Sequence, residues 1–159
     1  MPTIVPNLWF DTEALEAAEY YVSIFPNSRV VRVSHYGPDM PGPEGGVFLV
    51  DFELDGDRFT AINGGPAPFA FDESVSFVID APDQETLDHY WDALTADGGE
   101  EGPCGWLKDR YGLSWQVVPL AEMDALQEDP ERMSRAMQAI MQMRRLDLAA
   151  IRAAVDAPA

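Results

Sequence analysis

The sequence predicts an α+β fold: two β-α-β-β-β modules forming cupped mixed sheets, plus a C-terminal helical extension. Three observations carry this expectation. The apolar period switches between strand and helix spacing within the first 66 residues, the same order of elements restarts near residue 72, and the composition turns helical after Pro119. At 159 residues the length fits one domain, with residues 1–120 as the paired modules (about 1–66 and 72–120) and 121–159 as the helical extension.

Residues 3–11 are apolar and interrupted by Pro6, which suits an edge strand. From 13 to 25 the pattern becomes helical. Leu15, Ala18, Tyr21, Val22 and Phe25 recur at spacings of three and four, Glu13, Glu16 and Glu19 lie opposite, and Pro26-Asn27 ends the helix. Residues 30–36 read as a strand, and the proline- and glycine-rich stretch 37–46 reads as a loop. Residues 47–54 and 58–63, joined by Asp55-Gly56, make a hairpin that Gly64-Gly65-Pro66 closes.

The second module repeats this order with a strand at 74–80, a helix at 84–96, the pair Gly98-Gly99 and short strands ending at 113–118. Two short matches support duplication. Asp11 precedes Tyr21 by the same ten residues that separate Asp80 from Tyr90, and Asp57-Arg58-Phe59 matches Asp109-Arg110-Tyr111. In the extension, Asp129 is a good N-cap with Pro130 in the first turn, and Met133, Met137 and Met141 recur every four residues. That stripe predicts core or a subunit contact. Asp147 would cap a last helix carrying Leu148, Ile151 and Val155, and residues 156–159 should fray.

Composition narrows the partners. The chain is 47% apolar, yet 28 acidic residues against nine arginines and the single Lys108 give a formal charge of -18. Such a field repels phosphate backbones and anionic headgroups, so neither nucleic acid nor a membrane surface is expected. The lone Cys104 cannot form an intramolecular disulfide, no apolar run reaches the roughly 18 residues of a membrane span, and the opening residues lack a secretory pattern. A cytoplasmic protein is the expectation.

Several short motifs, in order, resemble a known family. They are Leu8-Trp9-Phe10-Asp11, Ser23-Ile24-Phe25-Pro26-Asn27-Ser28, Asn63-Gly64-Gly65-Pro66, Cys104-Gly105-Trp106-Leu107 with Asp109, Gly112-Leu113-Ser114-Trp115-Gln116, and Met143-Arg144-Arg145-Leu146-Asp147-Leu148. Together they look like the PhnB-like family, often named 3-demethylubiquinone-9 3-methyltransferase. That family lies within the vicinal oxygen chelate superfamily of glyoxalases, dioxygenases and bleomycin-resistance proteins. The methyltransferase name meets an obstacle: Gly64-Gly65-Pro66 leads into Ala67-Pro68-Phe69, where two prolines oppose the helix start that a nucleotide-cradling turn needs.

The resemblance implies a divalent ion held in the cup by one residue near the first strand and one on the last strand of each module. Turn position and parity put Asn63 and Gln116 on the last strands, Ser76 on the second module's first strand, and Pro6 or Asn7 on the first module's. These side chains are neutral, so no metal and no other cofactor is expected. Slipping the register by three would bring Glu73 beside Gln116 and permit a weak Mg or Zn site. His35, at a strand end, has even odds of facing the cup. His89 is expected on a helix surface, and Cys104 is expected to be an inert thiol.

Trp9 and Trp106 suit an apolar or aromatic ligand, whereas Trp115 is expected in the core. The sequence therefore points to a small-molecule-binding protein of the glyoxalase/bleomycin resistance type, with Trp9, Asn63, Ser76, Trp106 and Gln116 at the ligand and no tight metal. The alternative is a metal-assisted lyase, isomerase or dioxygenase of the same superfamily, with methyl transfer third. The apolar faces predict a homodimer.

Overall fold

The computed structural model describes residues 3–157, and the closing Pro158 and Ala159, where fraying is expected, lie outside the described residues. Two compact units divide after Phe69. Each is taken by itself.

The first unit runs β1 (Asn7–Phe10), α1 (Ala14–Ile24), β2 (Arg29–His35), β3 (Val47–Leu54) and β4 (Asp57–Asn63). Its sheet has the order β1-β4-β3-β2, with β1 parallel to β4 and the other pairs antiparallel, so Pro6 does precede an edge strand. In the β3–β4 hairpin Asp55 and Gly56 have φ of 48° and 85°. That left-handed pair matches the twist of the strands it joins.

Helix α1 covers one face of this sheet through Ala14, Ala17, Ala18 and Tyr21, all fully buried. The expected stripe is rotated, since Leu15 and Val22 are only half-buried. Three alanines let the helix lie close to Val50, Phe52 and Ala61, which are buried beneath it, and Tyr21 stacks on Phe52 with centroids 6.4 Å apart. Each large side chain so buried contributes roughly 1.5–3 kcal/mol.

The second unit repeats the plan with β5 (Ser76–Asp80), α2 (Gln84–Thr95), β6 (Glu100–Glu101), β7 (Trp106–Lys108) and β8 (Ser114–Val118), in the order β5-β8-β7-β6. Asp83 caps α2 by accepting the Thr86 N–H at 2.8 Å, and Leu87, Trp91 and Leu94 form its buried face. The duplication is therefore real in topology, while its two short matches are not equivalent positions. Tyr21 and Trp91, each eleven residues past the end of the preceding strand, are the buried counterparts. Asp57-Arg58-Phe59 begins a strand, whereas Asp109-Arg110-Tyr111 lies in the turn before β8.

After β8 come α3 (Leu120–Leu126), α4 (Pro130–Ile140) and α5 (Leu148–Val155). Asp129 accepts the Arg132 N–H at 3.1 Å and Asp147 accepts the Ala150 N–H at 3.0 Å, so both expected caps form. Leu148, Ile151 and Val155 are buried, as their spacing predicts. On α4 the buried residues are Ala136 and Ile140, while Met137 and Met141 are 40% and 66% exposed. The methionine stripe is thus not core within the chain. Among the described residues no helix is long and apolar enough to cross a membrane.

Candidate functional site

In the second unit, strand parity separates two faces. Leu107, Trp115, Val117 and Ile79 are buried on the side of α2. The other face carries a row of cross-strand neighbours, one from each strand: Glu100 pairs with Lys108, Lys108 with Ser114, and Ser114 with Ser76. Directly opposed side chains in such a row lie about 5 Å apart. A second row sets Trp106 opposite Gln116 and Gln116 opposite Val78, and the Gln116 amide donates to Ser76 Oγ at 3.0 Å.

A cavity of about 460 Å³ is lined by Glu100, Lys108 and Ser114 of the first row and by Trp106 of the second. Pro103, Cys104 and Trp106 supply its apolar wall, while Glu73, Glu100, Glu101 and Lys108 are the charged residues of the lining, Glu100 lying opposite Lys108. Glu73 reaches Lys108 Nζ at 2.8 Å. That hydrogen bond holds the ammonium above the usual lysine range, Glu100 and Asp72 adding to it, and the same contact holds Glu73 below the usual carboxylate range. Ser114 lies in the cavity lining, is fully buried, and its hydroxyl has no hydrogen-bond partner. Buried hydroxyls are seldom left so, because the lost solvation costs roughly 1–3 kcal/mol.

The loop under the cavity is fixed from below. Cys104, at φ 60°, donates its N–H to the Met143 carbonyl at 2.8 Å, and Gly105 donates to Arg144 at 2.8 Å. A Cβ on Gly105 would meet Val117 O at 3.1 Å and Leu146 at 3.2 Å. The Cys104-Gly105-Trp106-Leu107 and Met143–Leu148 motifs, remote in sequence, are therefore two sides of one contact. The Cys104 thiol is half-buried at the cavity wall.

In the first unit the two expected site residues part company. Trp9 lies on the face away from α1, donates its indole N–H to Gly65 O at 3.1 Å and meets Phe69 edge-on at 5.5 Å. Its ring lies so close to Gly64 that a Cβ there would stand 2.1 Å away. Asn63 turns the other way: its Oδ1 accepts the Ala14 N–H at 2.7 Å and its Nδ2 donates to Val47 O at 3.1 Å. The parity expectation for Asn63 is thereby corrected, because the N–H groups at the start of α1 have no acceptor within the helix and Asn63 supplies one to the buried Ala14. On the open face, Arg32 and Arg58 both donate to the buried Asp51, at 2.6 and 2.8 Å. The Arg58 contact leads in holding that carboxyl below its ordinary range.

Of the expected residues, then, Trp106, Ser76 and Gln116 share one face, and Trp9 occupies the corresponding face of its own unit. Pro6 accepts the Thr60 N–H through its carbonyl at 2.9 Å and Asn7 accepts the Thr60 hydroxyl at 2.6 Å. His35 and His89 are exposed. Glu73 precedes β5 and is engaged by Lys108 rather than set beside Gln116. Ser114, Lys108 and Glu100 are the site residues that sequence reasoning missed. The signal for Ser114 and Lys108 was period two, which puts them on the same face as Gln116 and Trp106.

The donors on the open faces do not suit a divalent ion. Ser76, Ser114, Gln116, Asn7 and Thr60 offer neutral oxygens, the carboxylates Glu73 and Asp51 are taken by Lys108 and by Arg32 and Arg58, and no group of three or more His, Cys, Asp or Glu among the described residues is placed to hold a metal.

Residues 2–118 match the family model described as 3-demethylubiquinone-9 3-methyltransferase. Among solved structures, the chain is similar to a PhnB protein from Bacillus cereus described by the same activity, with 30% identity, TM-score 0.65, and 74% of this chain covering 99% of that one. A protein from Pseudomonas aeruginosa shares the fold at 20% identity and TM-score 0.60, with 74% and 96% covered. A fosfomycin resistance protein, FosX, from Listeria monocytogenes, described in complex with Mn(II), has 14% identity and TM-score 0.49, with 75% and 94% covered. No curated protein matches the chain.

Proposed function

Since the chain belongs to the 3-demethylubiquinone-9 3-methyltransferase family, the PhnB-like branch of the vicinal oxygen chelate superfamily, we propose that it binds a small, largely apolar molecule over the open face of its second sheet, without a resident metal. The observation that carries this reading is the buried, unpartnered Ser114 hydroxyl beside Trp106 at a cavity of about 460 Å³. That volume is the size of a drug-like ligand, and an apolar wall with few convergent polar groups is the usual build of such a site. Ser114 offers orientation, Trp106 offers area. A cytoplasmic place accords with the single free cysteine.

The activity in the family description would require S-adenosylmethionine. Gly64-Gly65-Pro66 is followed by no helix before β5, so the turn lacks the helix N-terminus that a doubly wound cofactor site uses. The residues present do not fit that cofactor, and binding is the reading retained.

The neutral fluorescent probe N-phenyl-1-naphthylamine tests it. Saturable binding at one probe per chain is expected, weakened several-fold by Trp106→Ala, which removes most of the apolar wall. Absence of saturable binding, or binding indifferent to Trp106→Ala, would overturn the assignment to this cavity.

A further inference from the structure

We infer that the natural ligand is a small organic cation, an amine carried on an apolar ring-bearing body, and this rests on the reading that the second-unit cavity binds a small molecule. The sign of the charge comes from the lining. Glu73 and Glu100 flank Lys108, the one cation among the lining residues, and Glu101 stands at the same opening with its carboxylate turned to α2. Glu73 is committed to Lys108, and Glu101 accepts the Trp91 indole N–H at 2.7 Å. Glu100 stands next to Lys108 in the cross-strand row and brings a further negative charge to the rim. The chain as a whole carries -18, so its field draws cations toward this opening and repels organic anions.

An acidic rim alone would name no ligand. Ser114 gives the independent signal, because its fully buried hydroxyl lines the cavity with no hydrogen-bond partner, in register between Lys108 and Ser76. A hydroxyl oxygen carries two lone pairs, and an ammonium N–H is a donor that satisfies one of them. Trp106 supplies a ring face on which both an apolar body and an adjacent cation are favoured. A bare metal ion would need a cage of oxygens, which these residues do not form, whereas an ammonium is content with two or three acceptors. A carboxylate ligand would have to take Lys108 from Glu73 while meeting Glu100.

Three probes with one ring system separate the cases in calorimetric titrations of the full chain: 1-naphthylmethylamine, 1-naphthylmethanol and 1-naphthoate. The amine should bind about tenfold more tightly than the alcohol, and the naphthoate most weakly. Glu100→Gln should weaken the amine several-fold and leave the alcohol nearly unchanged, Ser114→Ala should weaken the amine several-fold, and rising salt should narrow the gap between amine and alcohol. Glu131→Gln makes the same charge change on the exposed start of α4 and should have no effect. An amine no tighter than the alcohol, or Glu131→Gln acting as strongly as Glu100→Gln, would overturn the cation while leaving a binding cavity. Failure of all three probes to bind saturably would overturn the binding reading itself.

Discussion

The Asp109 carboxylate accepts the Trp115 indole N–H at 2.9 Å while also taking the backbone N–H groups of Tyr111 and Leu113, at 2.8 and 3.1 Å. Asp109 is only 2% exposed, so these bonds replace water almost completely. They fix the turn between β7 and β8, and that turn sets Lys108 opposite Ser114. One buried carboxylate thus connects the core tryptophan to the cavity row.

Asp109→Asn should therefore lower the unfolding free energy by about 2 kcal/mol, since the amide that replaces one oxygen presents N–H to a donor. Urea denaturation measures this. Trp115→Phe should cost less in the Asp109→Asn background than in the wild type, the sign of a direct coupling. Equal costs in both backgrounds would mean that the two side chains act independently.

Asp51 predicts the acid limb of stability. Arg58 first, and Arg32 with it, hold its carboxyl below the ordinary value near 3.8, so the folded state binds its proton less readily than the unfolded chain. The contribution is full above the unfolded pKa and is lost as pH falls through the depressed folded value. Both guanidinium groups are largely exposed, and solvent screening limits the effect to roughly 1 kcal/mol. Asp51→Asn should thus lower the melting temperature at pH 7 by a few degrees and narrow the difference from wild type below about pH 4. A constant difference across that range would remove Asp51 from the acid limb.

These elements differ in how far the sequence disclosed them. The module order was legible because period-two and period-three-to-four patterns alternate with Gly and Pro punctuation, and the expected caps Asp129 and Asp147 both bond. Register was not legible. Asn63 shares its parity with Ala61, and only the demand of the α1 N-terminus for an acceptor reveals which face that is. Ser114 carried no apolar or charged signal, and its unpaired hydroxyl becomes visible only when its neighbours are in place.

The donor set also predicts metal content. Purified protein should carry well under one divalent ion per chain by elemental analysis after gel filtration, because Ser, Asn, Thr and Gln oxygens offset little of an ion's dehydration and the nearby carboxylates do not converge in a group of three. One tightly held Zn, Fe, Mn or Ni per chain would sink this expectation and make Glu73 the first residue to mutate.

Finally, Met137 and Met141 argue for association. Met137 on α4 and Met141 just past its end stand 40% and 66% exposed, four residues apart, while Ala136 and Ile140 occupy the helix's buried side. Exposed apolar side chains one turn apart are covered when a second copy packs on them, and identical chains most often close with two-fold symmetry. We therefore propose a homodimer through α4. The charge of -18 on each chain opposes contact, but at physiological salt its reach is only about 8 Å, and flexible methionine side chains adapt well to a mating surface. Because Met137 is exposed within one chain, Met137→Asp should leave the monomer fold and its melting largely intact while burying a carboxylate at the contact. That burial should weaken association by on the order of 2–3 kcal/mol, about a hundredfold in dimer dissociation constant. Light scattering at low micromolar concentration reads the outcome. Two-chain mass in the wild type falling to one-chain mass in Met137→Asp is the expected result; one-chain mass in the wild type removes the dimer, and a dimer indifferent to the substitution removes α4 from its interface.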